Sequence, residues 1–215
     1  MAMLVQDWMH SDVITIDAHA YVIDAVHLLK EKNIRRLPVL KNGKLVGIVT
    51  DRDLKDFTPS KATTLDIYEL RYLLSKASVE EAMTPDPITV TPDLPIENVA
   101  AIMHDKKISG LPVVNKDKTL AGIITESDVF KLLVALSGVR EGGIRICLPI
   151  EDKPGSAKDV ADIPRKYGGK IEAILINYEN VKPGYRDLIL RFKGGDTQAI
   201  LKEIKEKYPD VNINE

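Results

Sequence analysis

The chain has 215 residues, 44% of them hydrophobic and 29% charged, and its 30 Lys and Arg against 32 Asp and Glu leave a net charge of -2. That apolar share excludes an intrinsically disordered chain. The charge balance, with only 5% aromatic residues, removes the electrostatic and stacking grounds for a nucleic-acid or membrane-surface partner. The only cysteine, Cys147, leaves no internal disulfide and no cysteine-rich zinc site. The first residues, Met1 to Asp7, lack the basic and apolar regions of a signal peptide. No apolar run approaches the roughly 20 residues that span a bilayer, so a cytoplasmic protein is expected.

In chain order, the first short β-branched run is Val13-Ile14-Thr15-Ile16, a predicted strand. Val22, Ala25, Val26 and Leu29 follow at i, i+3, i+4 and i+7, the stripe of a helix buried on one face. Leu37–Leu40 and Leu45–Val49 are two further strands, and Asn42-Gly43 between them signals a tight hairpin turn. The whole pattern then returns. Val5, Met9, Asp12, Ile14 and Thr15 match Val79, Met83, Asp86, Ile88 and Thr89 at an offset of 74. Leu37-Pro38-Val39 matches Leu111-Pro112-Val113; after one inserted loop residue, Gly47, Thr50 and Asp53 match Gly122, Thr125 and Asp128. Ile96, Val99, Ala100 and Met103 repeat the helical stripe, and Val129, Leu132, Leu133 and Leu136 mark a closing helix. Each unit reads strand–helix–strand–strand–helix. Between the copies, Ile67, Leu70 and Leu74 predict a connecting helix over about Leu65–Ser75.

Glycines around Gly138 and Glu141-Gly142-Gly143 signal a hinge. Beyond it, Ile144, Ile146 and Leu148 alternate as one face of a strand. A helix starts at Ser156, and Pro164 is expected to stop or kink it. Ile171–Tyr178 and Tyr185–Phe192 are predicted strands. Gly194-Gly195-Asp196 opens a last helix with Ile200, Leu201, Ile204 and Tyr208 inward, and Val211–Ile213 closes the chain. This is a βαββαβ, ferredoxin-like order. The expected organisation is a first repeat over 1–60, a connecting helix over 61–77, a second repeat over 78–138, a hinge over 139–143 and a last domain over 144–215. The fold class is α/β (α+β).

The sharpest motif is Gly-h-h-Thr-x-x-Asp, with h apolar: Gly47 to Asp53, and again Gly122 to Asp128. A strand ends at the Thr and a helix begins near the Asp. Two readings are open. The pair can cap its helix. Or the carboxylate can accept both vicinal hydroxyls of a ribose, with the Thr hydroxyl and free N–H groups facing phosphate.

These residues, with the two Leu-Pro-Val stretches, resemble a tandem pair of cystathionine-β-synthase (CBS) domains, a Bateman module. The resemblance implies a pseudo-twofold arrangement with two clefts that take adenosine-containing ligands. It implies Asp53 and Asp128 on ribose, Thr50 and Thr125 on ribose or phosphate, and Thr15 and Thr89 close to adenine. Residues just before Leu-Pro-Val approach phosphate in such families. Here they are Arg35 and Arg36 in the first copy, with Arg52 inside its motif; Ser109, Gly110 and Ser127 stand in the second. Guanidinium groups favour phosphate. A phosphorylated ligand (AMP, ADP or ATP, with S-adenosylmethionine as the alternative) is therefore expected in the cleft of the first copy.

The C-terminal part, 144–215, resembles an ACT domain on its βαββαβ order and on Asp152-x-Pro154-Gly155. The resemblance implies that this loop, with Ser156 opening the helix, faces a small amino acid at a dimer interface, Gly155 allowing close backbone approach. A CBS pair followed by an ACT domain is similar in layout to AcuB-type (acetoin utilisation) proteins. The implied function is regulatory: a homodimeric ligand sensor acting on an unknown partner protein, with no required cofactor. A ligand-free dimerisation scaffold is the alternative. A nucleotide-hydrolysing enzyme would need a metal cluster or activated nucleophile. His10, His19, His27 and His104 match no metal spacing and read as scattered surface histidines. No Gly-x-Ser-x-Gly or phosphate-loop signature occurs. No catalytic residue and no metal site is therefore assigned.

Overall fold

The computed structural model describes residues 3–57 and 76–214. The connecting helix expected over Leu65–Ser75 lies outside them. The chain divides into two compact units, Met1–Val129 and Phe130–Glu215.

In the first unit, β1 (Ile16–Asp17), α1 (Val22–Glu31), β2 (Arg36–Lys41), β3 (Lys44–Thr50) and α2 (Asp51–Phe57) form the first copy. The expected strand over Val13–Ile16 shortens to Ile16–Asp17, the stretch that finds β2 as a parallel partner. Asn42 and Gly43 both have positive φ (53° and 75°), as a two-residue hairpin turn of the right twist requires. The predicted helical stripe is the buried one: Val22 and Ala25 are fully buried and Leu29 nearly so. They pack with Leu37, Val39, Val49 and Leu54 into one core. Each such aliphatic side chain contributes about 1.5–3 kcal/mol on burial.

The second copy repeats the plan. It comprises α3 (Val79–Ala82), β4 (Thr84–Pro85), α4 (Ile96–Lys106), β5 (Gly110–Val114), β6 (Leu120–Thr125) and α5 (Glu126–Leu136). Val90 makes a single parallel bridge to Val113 where β1 pairs β2 in the first copy. Both hairpins carry a register shift at the same place, after Val39 and after Val113.

The leading segments of the copies are exchanged. β4, from the start of the second copy, pairs antiparallel with β3 of the first: Gly47 opposite Pro85, Ile48 opposite Thr84. Reciprocally, His10 bridges to Ile123 on β6, with N–H···O bonds of 2.9 and 3.0 Å in the two directions. Val5 N–H donates to the Leu94 carbonyl. This exchange explains the glycine of each motif. A Cβ at Gly47 would overlap the Met83 thioether; one at Gly122 would lie 2.5 Å from Met9 Sδ and 2.9 Å from the His10 carbonyl. The glycines admit the crossing segment.

In the second unit, β7 (Ile144–Glu151), α6 (Ser156–Lys166), β8 (Lys170–Asn177), β9 (Tyr185–Lys193), α7 (Thr197–Lys207) and β10 (Asn212–Asn214) follow in turn. The sheet order is β10-β7-β9-β8, all antiparallel. This is the ferredoxin-like order. Alternate residues of β7 and β9 (Ile146, Leu148, Ile150; Leu188, Leu190, Phe192) meet Val160, Ile163, Ile200 and Ile204 of both helices in one core, so both helices lie on one face.

Pro164 does not end α6, which runs two residues further to Lys166. It sits in the last turn, where the missing N–H forfeits a single helical bond. Its carbonyl then closes the helix, accepting from Tyr167 N–H (3.1 Å) and Gly169 N–H (2.8 Å). Asp196 caps α7, accepting from Ala199 N–H at 3.1 Å.

Candidate functional site

Each Thr-x-x-Asp corner lies where a hairpin strand meets a helix start. In the first copy, Asp53 Oδ2 accepts from Thr50 N–H (2.8 Å) and Thr50 Oγ1–H (2.7 Å). Asp53 N–H in turn donates to Thr50 Oγ1 at 3.2 Å. In the second copy, Asp128 Oδ2 accepts from Thr125 N–H (2.9 Å) and Oγ1–H (2.7 Å). The capping role is therefore real in both copies. It uses one carboxylate oxygen and leaves Oδ1 of each acid to be accounted for.

Two cavities flank these corners. The first, about 530 Å³, is lined by Thr50, Arg52 and Asp53 with Thr84, Ile88 and Lys107 of the other copy, and by Arg35 and Arg36. Asp53 Oδ1 accepts no bond from any described residue. Four cationic residues, Arg35, Arg36, Arg52 and Lys107, thus line one space with three acids, Asp51, Asp53 and Asp86. The second cavity, about 580 Å³, is lined by Thr125, Glu126 and Ser127 with His10, Ile14 and Asn33, and again by Arg35 and Arg36. Asp128 is absent from its wall and only 6% exposed. His10 Nε2 stands 3.1 Å from Asp128 Oδ1.

Arg35 and Arg36, expected in the cleft of the first copy alone, face both. Their segment is the counterpart of Lys107–Gly110, and the two segments meet where the copies face each other. Arg36 Nη2 donates to Ser109 Oγ at 2.7 Å, and a Cβ on Gly110 would overlap the guanidinium. Burial pushes the Arg36 guanidinium below its usual pKa; nearby Glu126 opposes this and Arg35 adds to it. A half-buried cation beside another is a place where an anion is welcome.

Thr15 and Thr89 line neither cavity. Ile14 and Ile88, one residue earlier, do. Thr84, Lys107 and His10 were not singled out from the sequence; His10 is exposed, as a surface histidine is, yet its ring meets Asp128. The repeat itself carried a signal: the offset of 74 sets His10 against Thr84, an imidazole against a hydroxyl at matched places. Lys107 and its counterpart Asn33 both take left-handed backbone (φ 56° and 52°).

In the second unit, a cavity of about 300 Å³ is lined by Glu151, Lys153, Ser156, Asp159, Tyr185 and Tyr208 among others. Of the four loop residues expected there, Ser156 lines it; Asp152, Pro154 and Gly155 do not. Gly155 has φ 89°, and a Cβ on it would meet nothing within 4 Å. The turn, not close approach, demands glycine there. Asp152 Oδ1 lies 3.4 Å from Arg186 Nη1. Buried Ser156 accepts from Arg186 Nη2 at 3.2 Å, and Arg186 Nε is buried without an acceptor among the described residues. Burial first, then the Asp159 carboxylate, raises the Tyr208 phenol above its usual range.

Comparison with known proteins adds three findings. A family model described as CBS domain matches residues 5–59 and 79–135. Among curated proteins, a homoserine O-acetyltransferase of Methanohalobium evestigatum is 35% identical over 130 residues; the match takes in 60% of this chain and only 24% of that enzyme. Among solved structures, one described as an acetoin utilization protein (AcuB) from Vibrio cholerae matches with TM-score 0.54 and 32% identity, over 66% of this chain and 97% of that one. The CBS-pair protein CBSX2 of Arabidopsis thaliana, in complex with AMP, matches with TM-score 0.51 and 33% identity, over 61% and 96%. The CBS domain pair of protein MJ0100, in complex with 5′-methylthioadenosine and S-adenosyl-L-methionine, matches with TM-score 0.50 and 32% identity, over 60% and 94%. Among the described residues, no helix is long and apolar enough to cross a membrane.

Proposed function

The chain belongs to the CBS-domain family, and from that premise we propose that it is a regulatory sensor, not an enzyme, whose first cleft binds an adenine nucleotide: AMP, ADP or ATP. The observation that carries this reading is the first cavity, where Asp53 Oδ1 and four cations, Arg35, Arg36, Arg52 and Lys107, line one space. The carboxylate suits a ribose diol, and the cations suit phosphate. The AMP complex of CBSX2 supports the ligand class. S-adenosyl-L-methionine, seen with MJ0100, carries a sulfonium cation and no phosphate, so the four cations of this wall, only partly offset by Asp51 and Asp86, favour it less. Binding to one arrangement of the two copies biases the chain toward it. At 100 times its Kd the nucleotide supplies about 2.7 kcal/mol.

We read the second unit as an ACT domain. Its βαββαβ order supports this, and its cavity is lined by groups of both signs, Lys153 ion-paired with Glu151, and Asp159. A free amino acid has that charge pattern. Self-association and an acetoin-utilisation context belong to the same reading, the latter supported by the AcuB neighbour. Titration calorimetry tests it. AMP, ADP or ATP should bind, more tightly than S-adenosylmethionine and adenosine. If none of the three binds, the ligand-free scaffold is the better description; if ATP is consumed on incubation, the chain is an enzyme.

A further inference from the structure

The two clefts of the first unit share their corner geometry, and the second cavity is no smaller than the first, about 580 against 530 Å³. Space therefore does not set them apart. The matched pair Thr84 and His10 is one difference between them. Thr84 lines the first cavity beside Asp53. Its counterpart His10 places Nε2 3.1 Å from Asp128 Oδ1. The backbone of His10 is anchored beside the acid, its N–H and carbonyl both bonding to Ile123 (2.9 and 3.0 Å), while its side chain stays largely exposed. Asp128 Oδ2 already serves Thr125. Both oxygens of this acid are thus engaged, and the residue is 6% exposed.

We propose that His10 is an internal competitor for the sugar hydroxyls: it occupies the acid of the second cleft, so that the first cleft alone takes an adenosine ligand tightly. This rests on the sensor reading above. A ribose entering the second cleft must displace the hydrogen bond between the His10 ring and Asp128, a handicap of about tenfold in affinity. Arg35 and Arg36 face both cavities and do not set them apart; Arg52 and Lys107, which line the first alone, favour phosphate there, and the His10 ring adds a difference at the sugar.

The test exchanges the matched residues in the full chain and titrates each protein with AMP. The wild type should bind one AMP per chain tightly, and Asp53→Ala should weaken that binding about a hundredfold. His10→Thr should gain a second AMP about tenfold more tightly than the wild type's second site, and the gain should vanish in the His10→Thr, Asp128→Ala double variant. Thr84→His should weaken the first site by about tenfold. If His10→Thr leaves the second site unchanged while the first still binds, or if the wild type fills both clefts equally, the competitor role is wrong and the sensor reading stands. If no protein binds AMP, ADP or ATP, the sensor reading fails and takes this role with it. A ligand-free measurement guards against misfolding of His10→Thr. The ring nitrogen resonances of His10 should move in Asp128→Asn, and unmoved resonances would overturn the pair.

Discussion

Asp53 and Asp128 stand at matched places and bind their own threonines through the same oxygen, at nearly equal distances. What meets the other oxygen differs: no described residue for Asp53, the His10 ring for Asp128. The local corner is kept because it solves a backbone problem, an exposed helix start that needs a cap. The divergence comes from segments that arrive from the opposite copy: β4 with Thr84 in one cleft, the His10 bridge in the other. Duplication kept the cap and let the visitors change.

The largest effect should come from the acids. Asp53→Ala removes the acceptor of two ribose hydroxyls and should weaken AMP about a hundredfold, at about 1.5 kcal/mol for each bond to charge. Asp128→Ala should change the tight site less than twofold. Calorimetry on both variants checks the contrast, and equal losses would erase it. Next come the motif glycines. Gly47→Ala and Gly122→Ala should each destabilise the fold by about 1–3 kcal/mol, because the crossing methionine and the backbone beside it must give way. Denaturant melts check this. Here the copies should behave alike, which makes the pair a control for the acids. A smaller effect is expected from the arginines. Arg36→Ala should weaken ATP about tenfold and adenosine hardly at all. Equal losses for both ligands would remove the phosphate role.

The repeat, both helical stripes and the βαββαβ order could be read from residue spacing, because burial on one face writes a period into the chain. Val22, Ala25 and Leu29 are the buried face as expected. The exchange of leading segments could not be read. An alignment of Val5 with Val79 says that they are equivalent, not that each serves the other copy's sheet. That single missing fact hid His10 and Thr84 and assigned Arg35 and Arg36 to one cleft. The threonines next to the first strands missed the cavities for a different reason. Side chains alternate along an extended chain, so a one-residue error turns Thr15 and Thr89 away and leaves Ile14 and Ile88 facing in. In the second unit the position of Pro164 was misjudged because a proline near a helix end costs one bond rather than a turn.

The smallest expected effect lies at Lys107 and its counterpart Asn33. Both close a helix or its following turn with positive φ, 56° and 52°. Asparagine tolerates this backbone because its short amide bonds locally; lysine has no such compensation and adopts it at a cost of about 1 kcal/mol. Yet lysine stands in the cleft where no described residue meets Asp53 Oδ1 and asparagine in the cleft where His10 meets Asp128. If the ammonium is kept there for phosphate, Lys107→Asn should do two opposite things. It should stabilise the fold by a few tenths to about 1 kcal/mol, and it should weaken ATP by about threefold, the worth of one exposed ion pair. Melting and calorimetry on the same protein read both signs. A variant that loses stability, or that binds ATP as tightly as before, would show that Lys107 only ends its helix. The converse change, Asn33→Lys, adds a cation to the second cleft without freeing Asp128, and should leave its nucleotide affinity low as long as His10 remains in place.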